Sequence, residues 1–143
     1  MKKVQLAGFW RRVGATLIDS VLFLFICFPI QYGLRHLSAA VGVSGGLIEL
    51  NDWLVSFGLT YLYSGFFLSR RGATPGKAVM NLRVVDHETG AHLSFSRAGF
   101  RGAIGGWISL IPLGIGVLMV AFRSDKRALH DLIFGSDVWY TKK

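Results

Sequence analysis

Three long apolar blocks constrain this chain more than any motif does. They cover about 13–34, 47–68 and 98–122 of its 143 residues. A bilayer core of about 30 Å needs roughly 20 helical residues, a length that the first two blocks supply. Charged residues make up 17% of the chain and hydrophobic ones 52%, too little charge for an ordinary soluble domain. Phe9 and Trp10 precede the first block, where interfacial aromatics belong, and Pro29 is expected to kink its far end. The block is too long for a secretory h-region, contains Asp19 and lacks a small-x-small site after it, so it reads as a retained span. Glu49 and Asp52, at the start of the second block, could attract cations at an outer mouth but better fit a solvated helix start in the interface.

The basic residues fall between the blocks. Lys2, Lys3, Arg11 and Arg12 precede the first; Arg70, Arg71, Lys77, Arg83 and Arg97 lie between the second and third. Arg123, Lys126, Arg127, Lys142 and Lys143 follow the third, whereas Arg35 stands alone between the first two. The net charge of +8 is therefore assigned to membrane orientation and anionic lipid headgroups, not to nucleic acid. The positive-inside rule puts the N-terminus, the loop 69–97 and the tail 123–143 in the cytoplasm. Three straight spans cannot do that. Gly105, Gly106, Pro112, Gly114 and Gly116 break the third block, so a hairpin turning near IPLGIG is expected, with a straight third span as the alternative. The expected fold class is an all-α membrane protein, with two full transmembrane helices, the broken third block and a small cytoplasmic β element. The whole chain, 1–143, is expected to form one domain.

The β element is read from AVMNLRVVD, with Ala78, Met80, Leu82 and Val84 on one face. HETG supplies a turn, AHLSF a returning strand and SDVWYT a third strand. SDKRALHDLIFG reads as a short amphipathic helix closed by Gly135. Cys27 is the single cysteine and can form no intramolecular disulfide.

GATPGK, residues 72–77, superficially suggests a phosphate loop. A Walker loop needs four residues between its glycines and a Ser or Thr after the lysine. Here three residues separate Gly72 from Gly76, Ala78 stands at the hydroxyl position, and a long apolar helix precedes the turn instead of a strand. On that basis the loop does not read as a nucleotide-binding one. Gly72 and Pro75-Gly76 instead make a tight turn after the second span, with Lys77 at headgroup level.

Asp19 is the most informative side chain. It lies about 10 Å beyond Arg12 along a helix rising 1.5 Å per residue. A carboxylate that deep must be paired, hydrated or protonated. Poised between desolvation and a nearby arginine, it could exchange a proton for a cation; otherwise it is a fixed ion pair that orients helices. Arg101 is the expected partner, giving an Arg12–Asp19–Arg101 cluster. Arg12 taken alone reads as a snorkelling anchor. His130-Asp131 is weighed between a proton relay and an exposed helix cap. Trp53, Phe57 and Tyr61 have helical spacing and read as packing. His36, His87 and His92 have no metal-ligand spacing, and no Ser or Cys has a catalytic partner in sequence, so no metal, cofactor or enzyme activity is expected.

In their order, these pieces resemble the RDD family of bacterial membrane proteins. WRRVGATLID supplies Arg12, Ala15 and Asp19; GATPGK, with Gly72, Thr74, Pro75, Gly76 and Lys77, is similar to the family's loop after the second span. SFSRAGFR resembles the start of its third block, with Arg101 as the basic residue. ALHDLIFGSDVW resembles its closing segment, with Asp131 as the second aspartate and Ser136 where Thr is usual. The resemblance implies an integral membrane protein, expected in the bacterial inner membrane, with transport as its role and cation/proton exchange among the activities. Such a small chain is expected to form a homo-oligomer, with Gly102, Gly105 and Gly106 allowing close helix approach. The alternative is a non-transporting adaptor that holds a partner protein or anionic lipid through the basic loop.

Overall fold

The computed structural model describes residues 5–110 and 120–141, with side chains described for 5–105 and 120–141. Helix α1 spans Phe9–Ala40 and α2 spans Gly45–Arg71. Helix α3 is the short Pro75–Val79 turn; α4 is Phe95–Leu110 and α5 is Leu129–Phe134. The strands are β1 (Gln5–Leu6), β2 (Leu82–Asp86) and β3 (Ser136–Tyr140).

Helix α1 runs through Pro29 for 32 residues, about 48 Å at 1.5 Å per residue. That exceeds a bilayer core of about 30 Å. Its apolar side chains point outward: Leu24, Phe25, Phe28 and Leu37 are all exposed. Among the described residues it is the one helix long and apolar enough to cross a membrane. Helix α2 folds back against it. Tyr63 bonds Asp19, Gln31 bonds Ser56, and Arg35 reaches Asp52 at 3.1 Å, so rising numbers on one helix meet falling numbers on the other. The two form an antiparallel hairpin. Gly72, with φ 66°, ends α2 in the left-handed conformation that glycine tolerates best.

Helix α4 lies along α2, and glycines set the approach. A Cβ on Gly102 would stand 1.9 Å from Ser64 Oγ, and one on Gly99 would stand 2.6 Å from the Tyr61 ring. The ring of Tyr61 also meets Phe95 and Phe100 edge-on. At least two of α4's small residues are thus used inside the chain, between its own helices.

The sheet has order β1-β3-β2, antiparallel throughout. It joins the N-terminus, the loop after α2 and the C-terminal tail. The chain therefore enters the third apolar block from the sheet and returns to it. The turn expected near IPLGIG lies within 111–119, outside the described residues.

The β element differs from the sequence expectation. Ala78 is in α3, because Pro75 at the first helical position starts a turn of helix. Strand β2 begins only at Leu82, after Asn81 adopts a positive φ of 55°. AHLSF is not a strand; α4 starts at Phe95, and the strand beside β3 comes from Gln5–Leu6. Local pattern cannot reveal a two-residue strand whose partner is at the other end of the chain. The core lies between sheet and helix ends, with Ala7, Ala15, Leu68, Leu82, Val84, Leu93, Ala98 and Val138 buried together.

Candidate functional site

Two carboxylates organise the interior where the helices meet the sheet, and their surroundings differ. Asp131, in the first turn of α5, is fully buried. Arg12 Nη1 donates to its Oδ2 and Arg101 Nη2 to its Oδ1. Ala128 N–H adds a bond at 3.1 Å, so Asp131 also caps its own helix. Ser136 Oγ accepts from Arg101 Nε at 2.8 Å and donates to Asp131 Oδ1 at 3.3 Å. Burial raises the Asp131 pKa, but the Arg101 and Arg12 charges outweigh burial and hold the carboxyl well below the usual carboxylate range.

The expected pairing of Asp19 with Arg101 is therefore corrected. Arg12 and Arg101 converge, as expected, but on Asp131. Nor is Arg12 a snorkelling anchor: it is 7% exposed and also donates to the carbonyls of Ala7 at 3.3 Å and Lys126 at 2.7 Å. Asp131 is a cap, though not an exposed one. The docking of α5 decides this, through contacts 119 residues apart with Arg12 of α1 and 30 apart with Arg101 of α4.

Among the described residues no arginine pairs with Asp19. Its Oδ1 accepts Tyr63 O–H at 3.0 Å and Gly76 N–H at 2.7 Å, and its Oδ2 accepts the Thr74 hydroxyl. The GATPGK turn thus closes on α1 through its backbone and its threonine. Pro75 at the first helical position gives up an amide the turn does not need, leaving Gly76 N–H as donor. Gly76 has to be glycine, since a Cβ would stand 2.3 Å from the Ala15 carbonyl oxygen. Gly72 is held from the other side by Val84 N–H, which donates to its carbonyl at 2.6 Å.

Asp19 opens onto a cavity of about 560 Å³ between α1, α2 and α4. Thr16 and Ser20 of α1 and Ser56, Thr60 and Ser64 of α2 line it. These hydroxyls recur every four residues, which places each set on one helix face. That stripe was legible in the apolar blocks, and the sequence reading missed it along with Tyr63. Thr16, Ser56 and Thr60 donate to backbone carbonyls one turn back, leaving their oxygens as acceptors.

Lys77 and His130 also line the cavity. Lys77 had been expected at headgroup level. The turn directs it inward, where it is half-buried. Burial and the neighbouring Arg101 push its ammonium down to about 8, against the opposing pull of Asp19 and Asp131. His130 Nε2 lies 3.5 Å from Asp131 Oδ1, and its Nδ1 is buried without a hydrogen-bond partner among the described residues. Burial, reinforced by Arg101, lowers the imidazole to about 3, which favours its neutral form. Elsewhere, His87 Nδ1 contacts Asp137 at 2.8 Å and His36 packs on Tyr32. Among the described residues no three His, Cys, Asp or Glu side chains could hold a metal together.

An inward-facing aspartate on a long apolar helix, a turn clasped to it and a buried Arg–Asp–Arg triad make a helical fold built around polar contacts, with one helix among the described residues long and apolar enough to cross a membrane. The RDD family pattern matches residues 6–135, and the chain belongs to the RDD family. It is 29% identical over 138 residues to the uncharacterized protein YckC of Bacillus subtilis (strain 168), covering 94% of this chain and 84% of YckC. It is 28% identical to the uncharacterized membrane protein YteJ of the same organism, covering 95% of this chain and 82% of YteJ. No solved structure matches the chain.

Proposed function

We propose that this RDD protein is a transporter or transport component that exchanges a monovalent cation for protons at Asp19. One observation carries the reading: Asp19 faces a cavity among apolar helices that hydroxyls line together with Lys77, its own oxygens meet two hydroxyls, and it pairs with no arginine among the described residues. The hydroxyls of Tyr63 and Thr74 can rotate their lone pairs toward a cation, making an all-oxygen site with one negative charge. Hard oxygen ligands suit alkali cations, and one carboxylate balances one such charge. On this reading α2 is the second span, since it lies antiparallel against α1. The positive-inside pattern supports a bacterial inner-membrane protein with its N-terminus, loop and tail in the cytoplasm. So few helices cannot enclose a path alone, and the working unit is a homo-oligomer that meets through the exposed apolar faces of α1 and α2. Catalysis is not part of the proposal.

The test is flux. Purified protein is reconstituted in liposomes holding a pH dye and given sodium, potassium or lithium pulses. Wild type should move protons in response to at least one cation, and Asp19→Asn should lose at least about tenfold of that rate while remaining folded. No flux from intact wild type in any of the three would overturn exchange and leave the adaptor reading standing.

A further inference from the structure

The chain has ten arginines, and the structure divides them. Arg12, Arg35, Arg97, Arg101, Arg123 and Arg127 each pair with a carboxylate. Arg11 lies over the Tyr140 ring, 3.7 Å from its centroid. Arg70, Arg71 and Arg83 have no carboxylate partner among the described residues, and all three line one crevice of about 520 Å³. His92, Asn81 and Thr141 complete its polar wall, and no acidic residue lines it.

The fold builds this convergence. Arg70 and Arg71 end α2, and Gly72 then turns the chain so that β2 returns beside the helix end. Along β2, Leu82 and Val84 are buried while Arg83 between them is exposed, which turns it toward the crevice. The left-handed glycine leaves room for His92: a Cβ on Gly72 would stand 3.1 Å from that ring. Thr141 closes the floor, donating from its backbone and hydroxyl to the Asn81 carbonyl at 2.9 and 3.0 Å. Three guanidinium groups gathered without a counter-charge repel one another, and an anion relieves that repulsion.

We propose that this crevice binds the phosphate of an anionic phospholipid headgroup. Guanidinium forks match phosphate oxygens in bidentate geometry, which ammonium groups do not. Position selects a lipid over a free ion. The Arg70 guanidinium lies over the Phe66 ring, 4.7 Å from its centroid. Phe66 and Leu62, one turn before it, are exposed on α2. The basic mouth therefore continues into an apolar surface, as a headgroup continues into acyl chains. The site is separate from the Asp19 cavity and stands whether or not the protein transports.

Full-length protein is purified from mixed micelles holding equal phosphatidylglycerol and phosphatidylcholine of matched chains, and retained lipid is counted by native mass spectrometry. Wild type should retain phosphatidylglycerol in preference, and the Arg70→Gln/Arg71→Gln/Arg83→Gln triple variant should lose that preference by about tenfold or more. Arg83→Gln alone should show a smaller loss, which covers a triple variant that fails to fold. Arg11→Gln, removing an arginine that stacks on Tyr140 outside the crevice, should match wild type. An equal loss in Arg11→Gln would mean diffuse charge and overturn the site. Release of the lipid by equimolar inorganic phosphate would assign the crevice to the free ion, and release by an equimolar acidic peptide would assign it to a protein partner. Either result sinks the headgroup proposal.

Discussion

Asp19 and Asp131 show how environment sorts two chemically identical side chains. Asp131 meets two buried guanidinium groups, and Asp19 meets neutral donors and open space. Removing one member of a buried ion cluster strands the others. Asp131→Asn would leave Arg12 and Arg101 buried without their shared anion, and should cost about 3–5 kcal/mol, read as lost folded yield or a large drop in Tm in detergent. Asp19→Asn keeps an oxygen for the Gly76 amide and should cost only about 1–2 kcal/mol. Equal losses in the two variants would show that Asp19 is as structural as Asp131. All four charged residues of interest were visible in the sequence, yet their pairing was not. Sequence spacing says that Arg12 and Asp19 share a face; it carries no record of α5 bringing Asp131 to Arg12 and Arg101.

At the scale of elements, the GATPGK turn acts as a clasp. It has a capping glycine at one end and a helical turn pressed on α1 at the other. Gly76→Ala would drive a methyl group into the Ala15 carbonyl and the Asp19 amide, 2.3 and 2.9 Å away. Overpacking against backbone leaves little room to adjust, so about 1–3 kcal/mol should be lost. The cavity should also widen, detectable as faster alkylation of a Thr16→Cys probe. Unchanged stability and labelling would mean that the turn is not clamped there. The turn itself was legible because Gly and Pro act locally. The strands around it were less so. AHLSF has strand-like alternation, but Ser94 and Phe95 are taken up in starting α4, and the edge beside β3 is filled by Gln5–Leu6 instead.

For the whole molecule, the three-stranded sheet is the decisive feature. It ties residues from both ends of the chain to the loop between α2 and α4, so these three regions share one side. In a Cys27→Ser background, single cysteines at Glu88 and Thr141 should resist a membrane-impermeant maleimide on intact cells and react after permeabilisation. One at Ala40, the far end of α1, should react without it. Labelling that separates Glu88 from Thr141 would break the common side, and reversal of all three would invert the orientation.

The sequence by itself determined the features that depend on neighbours a few residues away. Apolar runs set the helices, and Gly72, Pro75 and Gly135 set turns and ends. Motif order across the chain pointed to the family. Tertiary structure decided which charges meet: Asp131 with Arg12 and Arg101, Asp19 with the clasp, and Arg70, Arg71 and Arg83 around one crevice. The physical reason is range. Helix periodicity and turn chemistry are local, whereas an ion pair depends on where distant elements dock, and that is fixed by packing the whole chain at once.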